Sequence, residues 1–312
     1  MSQDHYQDLL RRCDRLAPVP TAVVHPCSAG ALSGALEAAD AGLIAPILIG
    51  PRHRIESTAA AAGLAIAQWP LESVEHSHAA AARGVELVRA GRAELLMKGS
   101  LHSDELLQAV TARDSGLRTE RRLSHLYAMN VPSYHKPLFV TDAAVNIFPS
   151  LDDKADICRN AIDLLHVLGV ERPKLALLSA VETVTAKLPS TLEAAALVVM
   201  ARRGQIQGGL LDGPLAFDNA INAEAARLKG IQSEVAGDPD ILLAPDLEAG
   251  NILAKQLIYL AGAEAAGIVL GARVPIILTS RADSVRARIA SCALGVLLAE
   301  ARRTALAVEA LA

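Results

Sequence analysis

Short apolar runs alternate along this chain with alanine-rich segments whose apolar positions recur at helical spacing. The runs Thr21–His25, Ala45–Ile49, Glu94–Met97, Leu126–Met129, Leu138–Thr141, Lys174–Leu178, Gly209–Leu211, Ile241–Leu243, Ile268–Leu270 and Ile276–Thr279 read as strands. Helical patterns fill nearly every gap, for example Ala29–Ala41, Ser77–Ala90, Ser103–Thr111, Asp152–Leu168, Ser190–Arg203 and Glu248–Ala263. Strands alternating with helices predict an α/β fold, with a mainly parallel sheet, helices on both faces and right-handed crossovers. Leu126–Met129 and Leu138–Thr141 are separated only by a short Pro-containing loop, so these two are expected to pair antiparallel. There is no internal repeat and no low-complexity tract beyond the alanine richness.

Composition narrows the class. The 312 residues are 52% hydrophobic and 21% charged, enough for a large core in two domains or one large α/β unit. A net charge of −4 gives no electrostatic basis for binding nucleic acid or an anionic membrane. Aromatic residues are 3%, which leaves little for base stacking. Cys13, Cys27, Cys158 and Cys292 are scattered, with no C-x-x-C and no zinc spacing, so free thiols, no metal site and a cytoplasmic protein are expected. The segment from Met1 to Asp14 has no signal-peptide apolar core, and no apolar run reaches spanning length uninterrupted.

A domain boundary is expected near Thr141, where a strand breaks into Asp142-Ala143-Ala144-Val145-Asn146-Ile147-Phe148-Pro149. The long final helix, from Ser284 to about Leu311, is expected to return to the first half. The expected domains are therefore 1–141 with 284–312, and 142–283, with the site in the cleft between them.

The segment Pro275-Ile276-Ile277-Leu278-Thr279-Ser280-Arg281-Ala282-Asp283 carries the sharpest signal. A strand runs straight into a helix, with a serine, an arginine and an aspartate at the turn. A cation in the first helical turn opposes the dipole by roughly 0.3–1 kcal/mol unless an anion binds there. An anion site at the end of a parallel strand is one reading. The other is a capping box, Ser280-x-x-Asp283, with Arg281 pointing to solvent. Met97-Lys98-Gly99-Ser100-Leu101-His102-Ser103 also joins a strand to a helix. It is either a second phosphate cradle or a plain turn with Ser103 as N-cap, and it lacks P-loop spacing.

Gly116-Leu117-Arg118-Thr119-Glu120-Arg121-Arg122 is a basic cluster suited to a multiply anionic ligand such as coenzyme A, or else a solvated loop. Gly30-Ala31-Leu32-Ser33-Gly34 is one position out of register for a nucleophile elbow and lies inside a helical pattern. Asp212 and Asp246 read as helix caps or Mg²⁺ ligands, and Ser190–Glu193 as a capping box. His102 and His125 are candidates for acid/base work. His5, His53, His76, His78, His135 and His166 show no partner pattern.

Taken together these segments resemble the phosphate acetyl/butyryltransferases over nearly the whole chain. The likeness rests on Met97-Lys98-Gly99 with His102-Ser103, Leu123-Ser124-His125, Thr141-Asp142 through Asn146-Ile147, Leu178-Ser179-Ala180-Val181-Glu182, Ser190 to Ala194, Leu211-Asp212-Gly213-Pro214 through Asp218, Pro245-Asp246 through Asn251, and Leu278 to Asp283. It is similar above all to the transacylase half of proteins that fuse an enoyl-CoA hydratase to a phosphate acetyltransferase, here without the hydratase.

The resemblance implies two α/β/α domains with mainly parallel sheets, in the manner of the isocitrate and isopropylmalate dehydrogenases, and a homodimer. It implies acyl-CoA plus phosphate interconverting with acyl phosphate plus CoA. Both would act as substrates without a bound cofactor, with acetyl first and butyryl second. It implies a functional link to a hydratase. The alternatives are a CoA-binding subunit that has lost catalysis and a metal-dependent dehydrogenase of the related fold. On the resemblance, Ser280, Arg281 and Asp283 carry the chemistry. Lys98, Gly99, His102, Ser103, Arg118, Arg122, Ser124, His125, Asp142 and Asn146 bind substrate. Where acetyltransferases place a catalytic aspartate seven residues beyond the serine, this chain has Ala287.

Overall fold

The computed structural model describes residues 5–279 and 283–309. The chain opens with α1 (His5–Arg11), β1 (Val19–Val24), α2 (Ala29–Asp40), β2 (Ile44–Gly50), α3 (Arg52–Ala62), β3 (Leu71–Ser73), α4 (Ser77–Arg89), β4 (Leu95–Lys98) and α5 (Ser103–Thr111). It continues with β5 (Ser124–Asn130), β6 (Leu138–Thr141), α6 (Leu151–Val167), β7 (Lys174–Leu178), α7 (Pro189–Arg202), β8 (Leu210–Leu215), α8 (Phe217–Ile221), α9 (Ala223–Leu228), β9 (Ile241–Leu243) and α10 (Leu247–Tyr259). Last come β10 (Glu264–Leu270), β11 (Ile276–Ile277) and α11 (Val285–Glu309). The fold is α/β with mainly parallel strands. Among the described residues no helix is long and apolar enough to cross a membrane.

Two compact units form, Met1–Glu120 with Ala266–Ala312, and Arg121–Ala265. The expected boundaries at 141/142 and 283/284 therefore move to 120/121 and 265/266. Strand pairing is the reason. β5 pairs with β6 and β6 with β9, so that hairpin belongs to the second unit. β11 pairs with β4, so the chain is back in the first sheet before its final helix begins.

In the first unit the strands lie in the order β3-β2-β1-β4-β11-β10. All are parallel except β10, which runs antiparallel to β11. β1, Val-Pro-Thr-Ala-Val-Val, is buried almost throughout, as a strand covered on both faces must be. Gly84 of α4 meets Leu96 while Gly295 of α11 meets Leu95. Adjacent strand residues point to opposite faces, so these two helices cover opposite sides of the sheet. The parallel strands bring Val24, Gly50, Lys98 and Ile277 to one edge. β3 was not expected: its three residues are at least partly exposed and carry no apolar run, and it is an edge strand.

The second unit has the order β5-β6-β9-β7-β8. β5 and β6 are antiparallel, as their short connection predicted, and the remaining pairs are parallel. Thr141, Leu177 and Leu243 lie side by side, so the ends of β6, β7 and β9 share an edge.

Candidate active site

In the first unit, the chain leaving β4 passes unusually close to the chain leaving β1. Gly99 donates its N–H to the Val24 carbonyl at 2.8 Å, and Ser100 donates to the His25 carbonyl from its backbone at 2.9 Å and its hydroxyl at 2.8 Å. The Ser100 hydroxyl also accepts the Cys27 N–H at 3.1 Å. His25 adopts a positive φ of 56° to make this turn, a conformation that costs a non-glycine residue about 1–3 kcal/mol and is found most often where structure serves function. Burial first, then the Arg54 guanidinium, holds the His25 imidazole below its ordinary pKa. Lys98 is buried at the end of β4, its Nζ 3.5 Å from the Gly99 carbonyl.

α5 begins at Ser103, with His102 in the N-cap position. Ser103 is thus the first helical residue, not the cap. The His102 N–H donates to Glu105 at 3.3 Å, and His78, for which no partner was foreseen, lies 2.9 Å from the other Glu105 oxygen. Neither His25 nor this pairing emerged from the sequence. The available signal was an imidazole directly before a proline at the end of an apolar strand.

Ser280 and Arg281 lie outside the described residues. Their surroundings settle one point. α11 begins at Val285, and Ser284 caps it by accepting the Ala287 N–H at 3.1 Å. The described helix thus begins after Asp283, and the capping-box and dipole readings, which turn on Ser280 and Arg281, lie outside the described residues. The Asp283 carbonyl accepts Nη1 of Arg288 at 2.7 Å. The Arg288 shaft crosses α2 where a Cβ on Gly34 would come within 2.6 Å of its Cδ. This packing accounts for the glycine at the end of the Gly30–Gly34 run.

The basic cluster divides. Arg118 is exposed in the first unit, its backbone bridged to Ala272. Arg121 and Arg122 belong to the second unit, where Arg121 lies 3.7 Å from Asp163.

In the second unit, Asp142 organises the loop after β6. Its Oδ1 accepts the N–H groups of Ala144 and Val145 at 2.8 and 3.0 Å. Its Oδ2 accepts the backbone N–H of His125 at 3.2 Å, that of Asn146 at 3.3 Å and the Asn146 amide at 2.6 Å. A carboxylate 3% exposed survives burial only with such a set of donors. Ser124 accepts from Asn160 at 2.9 Å, and the Thr141 hydroxyl donates to the His125 carbonyl at 2.8 Å. The His125 ring is fully buried, edge-on to Tyr127 at 4.4 Å between centroids, and both its nitrogens lack hydrogen-bond partners among the described residues. Burial pushes its pKa down to about 4, against the attraction of Asp142. Ser124, His125, Asp142 and Asn146 were expected to touch substrate. The structure buries all four and bonds three of them into the scaffold by their side chains, because a loop leaving a sheet edge must satisfy its own backbone groups.

Neighbouring motifs are also framework. Asp246 caps α10 through Ala249 at 2.8 Å, and a Cβ on Gly250 would strike the Asp142 carbonyl at 2.3 Å. Asp212 lies inside β8 and bonds its neighbour Gly213, so it is not a helix cap. Ser190 and Glu193 form no capping box, since α7 opens with Pro189. Instead Ser190 meets Ser179 at 2.8 Å and Glu193 pairs with the buried Lys154. That pair lines a shallow pocket, open to solvent, at the ends of β7 and β9.

Residues 71–296 match the family described as phosphate acetyl/butaryl transferase. The chain belongs to this family. The phosphate acetyltransferase of Rhizobium meliloti is 59% identical to it over 300 residues, 96% of this chain and 95% of the relative. The phosphate butyryltransferase of Clostridium acetobutylicum is 40% identical over 258 residues, 83% of this chain and 86% of the relative. A crystal structure of a branched-chain phosphotransacylase from Enterococcus faecalis V583 covers 90% of this chain and 99% of its own, with a TM-score of 0.78 and 27% identity. As a member of this transferase family the chain is an acyltransferase, which sets aside the dehydrogenase alternative.

Proposed function

We propose that this protein interconverts acetyl-CoA plus phosphate with acetyl phosphate plus CoA. The observation that carries this is the 59% identity to a phosphate acetyltransferase over 96% of the chain. The weaker identity to a butyryltransferase makes butyryl-CoA the second substrate to test.

The cysteines support direct transfer. Burial raises the thiol pKa of Cys13 to about 11 and those of Cys158 and Cys292 to about 12, and raises that of Cys27 as well. None supplies a ready thiolate, whereas CoA brings its own thiol. In this reading both substrates are held together, the CoA thiolate attacks the acetyl carbonyl of acetyl phosphate, and phosphate leaves. Fixed positive charge stabilises the developing anions. Arg281 holds the phosphoryl group, Ser280 hydrogen-bonds beside it and Asp283 accepts the thiol proton. Lys98, Gly99, His102, Ser103 and Arg118 supply further substrate contacts from the first unit.

The reading includes a cytoplasmic homodimer, and a separate enoyl-CoA hydratase as functional partner, from the likeness to the fused transacylases. Sedimentation and co-purification test these two points. The deciding experiment is phosphate- or arsenate-dependent release of CoA from acetyl-CoA, beside butyryl-CoA. Turnover of acetyl-CoA supports the proposal; CoA binding without turnover supports the catalytically degenerate alternative raised by Ala287. Labelled acetyl groups trapped on the protein, or parallel double-reciprocal plots, count against direct transfer.

A further inference from the structure

The Asp142 network terminates on a cation. Asn146 has two amide hydrogens, and both are committed, one to Asp142 Oδ2 at 2.6 Å and one to the Leu123 carbonyl at 2.7 Å. That leaves Oδ1, which accepts Nε of Arg122 at 2.8 Å. The amide orientation is dictated: reversed, it would set an NH₂ against an N–H donor and an oxygen against two acceptors. The Arg122 backbone is held as firmly. Its N–H donates to Asp156 at 2.9 Å and its carbonyl accepts from Asn160 at 2.9 Å. Asp153 approaches at 3.5 Å, on the Nε edge of the guanidinium already used.

Yet the Arg122 side chain is 57% exposed, and neither terminal nitrogen hydrogen-bonds among the described residues. An arginine free to follow solvent needs no buried amide to aim it. Here a carboxylate with five donors orients an amide, and the amide fixes one edge of a planar fork whose other edge is open. That open edge is the geometry that grips a phosphate through two parallel N–H bonds. Arg121 leans instead on Asp163.

We propose that Arg122 binds a phosphate group through Nη1 and Nη2, and that Asn146 and Asp142 are positioning residues that hold its fork. The inference deepens the proposed function, on which it rests for the source of the phosphate, either CoA or the inorganic substrate.

Titration calorimetry with CoA, 3′-dephospho-CoA and inorganic phosphate tests it without turnover, and steady-state kinetics test it with turnover. Arg122→Met is expected to weaken binding of one of these ligands about tenfold and to raise its KM equally, with kcat within twofold of wild type. Arg122→Lys should recover only part, because it lacks the fork. A loss confined to CoA assigns the site to that molecule, and one confined to inorganic phosphate assigns it there. Unchanged affinity for all three in Arg122→Met overturns the proposal. Asn146→Ser should raise the same KM, and its effect should vanish in the Arg122→Met background. Additive effects overturn the positioning role. If Asn146→Ser does not fold, the exposed Arg122 variants decide alone. A wild-type protein without transacylase activity would overturn the proposed function, while the titrations would still decide this inference.

Discussion

A Cβ on Gly99 would lie 2.4 Å from the carbonyl oxygen of Val24, so only glycine lets the loop after β4 cross the end of β1. The obstacle is backbone, which cannot swing aside like a side chain. Gly99→Ala is expected to destabilise the protein by about 1–3 kcal/mol, the usual cost of overpacking, and to disturb the Ser100–His25 turn. Urea unfolding measures this, and an unchanged midpoint would contradict the close approach.

Arg281→Ala is expected to lower turnover by roughly 10²–10³, the usual effect of removing one transition-state donor. Lysine should restore only a fraction. Wild-type rates in the alanine variant would remove Arg281 from the chemistry.

Capping at the start of α11 falls to Ser284, not Asp283, because Ser284 accepts the Ala287 N–H. Ser284→Ala should therefore cost about 1 kcal/mol of stability and leave turnover nearly intact. Asp283→Asn should do the reverse, keeping stability within about 0.5 kcal/mol while turnover drops and partly recovers at high pH as the CoA thiol ionises unaided. An Asp283→Asn enzyme with a normal rate and pH profile would move the base elsewhere.

His125 makes stability depend on pH. Its imidazole titrates near 6.5 in the unfolded chain and near 4 in the folded one. Between those values the unfolded state binds the extra proton, so stability falls as pH drops from about 6.5 towards 4, by on the order of 3 kcal/mol, and is flat above. His125→Leu replaces two unpartnered ring nitrogens with apolar surface. It should match or exceed wild-type stability at pH 5 and lose that slope, as thermal melts between pH 4.5 and 7.5 will report.

The Lys154 side chain is 5% exposed and pairs with Glu193. Glu193→Ala leaves a buried charge alone and should cost about 3–5 kcal/mol, whereas Lys154→Met with Glu193→Leu should recover most of that. Denaturation midpoints of the two variants give the comparison.

Strands and helices were legible because burial on both faces leaves continuous apolar runs and helices leave a 3.6-residue period. Leu138–Thr141 and Ser103–Thr111 match residue for residue. β3 escaped because an edge strand of three residues need bury nothing. The site was legible as motifs but not as roles. Asp142 and Asn146 stood out as polar residues after a strand, and a carboxylate that saturates itself with N–H donors looks, in one dimension, like one that waits for a ligand. Ser284 was overlooked as a cap because Ser280 offered the same spacing one turn earlier. The domain limits were misplaced because strand pairing is non-local: nothing in Leu126–Thr141 states that its neighbour will be Ile241–Leu243.

The first unit is built from the two ends of the chain, with β11 lying against β4. During synthesis, β4 emerges from the ribosome well before the strand that will cover its free edge, with all of Arg121–Ala265 translated in between. At about 5–20 residues per second that edge stays open for many seconds. The contiguous second unit has no such delay and can mature ahead of the unit that begins the sequence. A chain released at residue 265 would hold the whole second unit and an unfinished first one. Any holdase that protects this protein would be needed at its beginning until its end has been made.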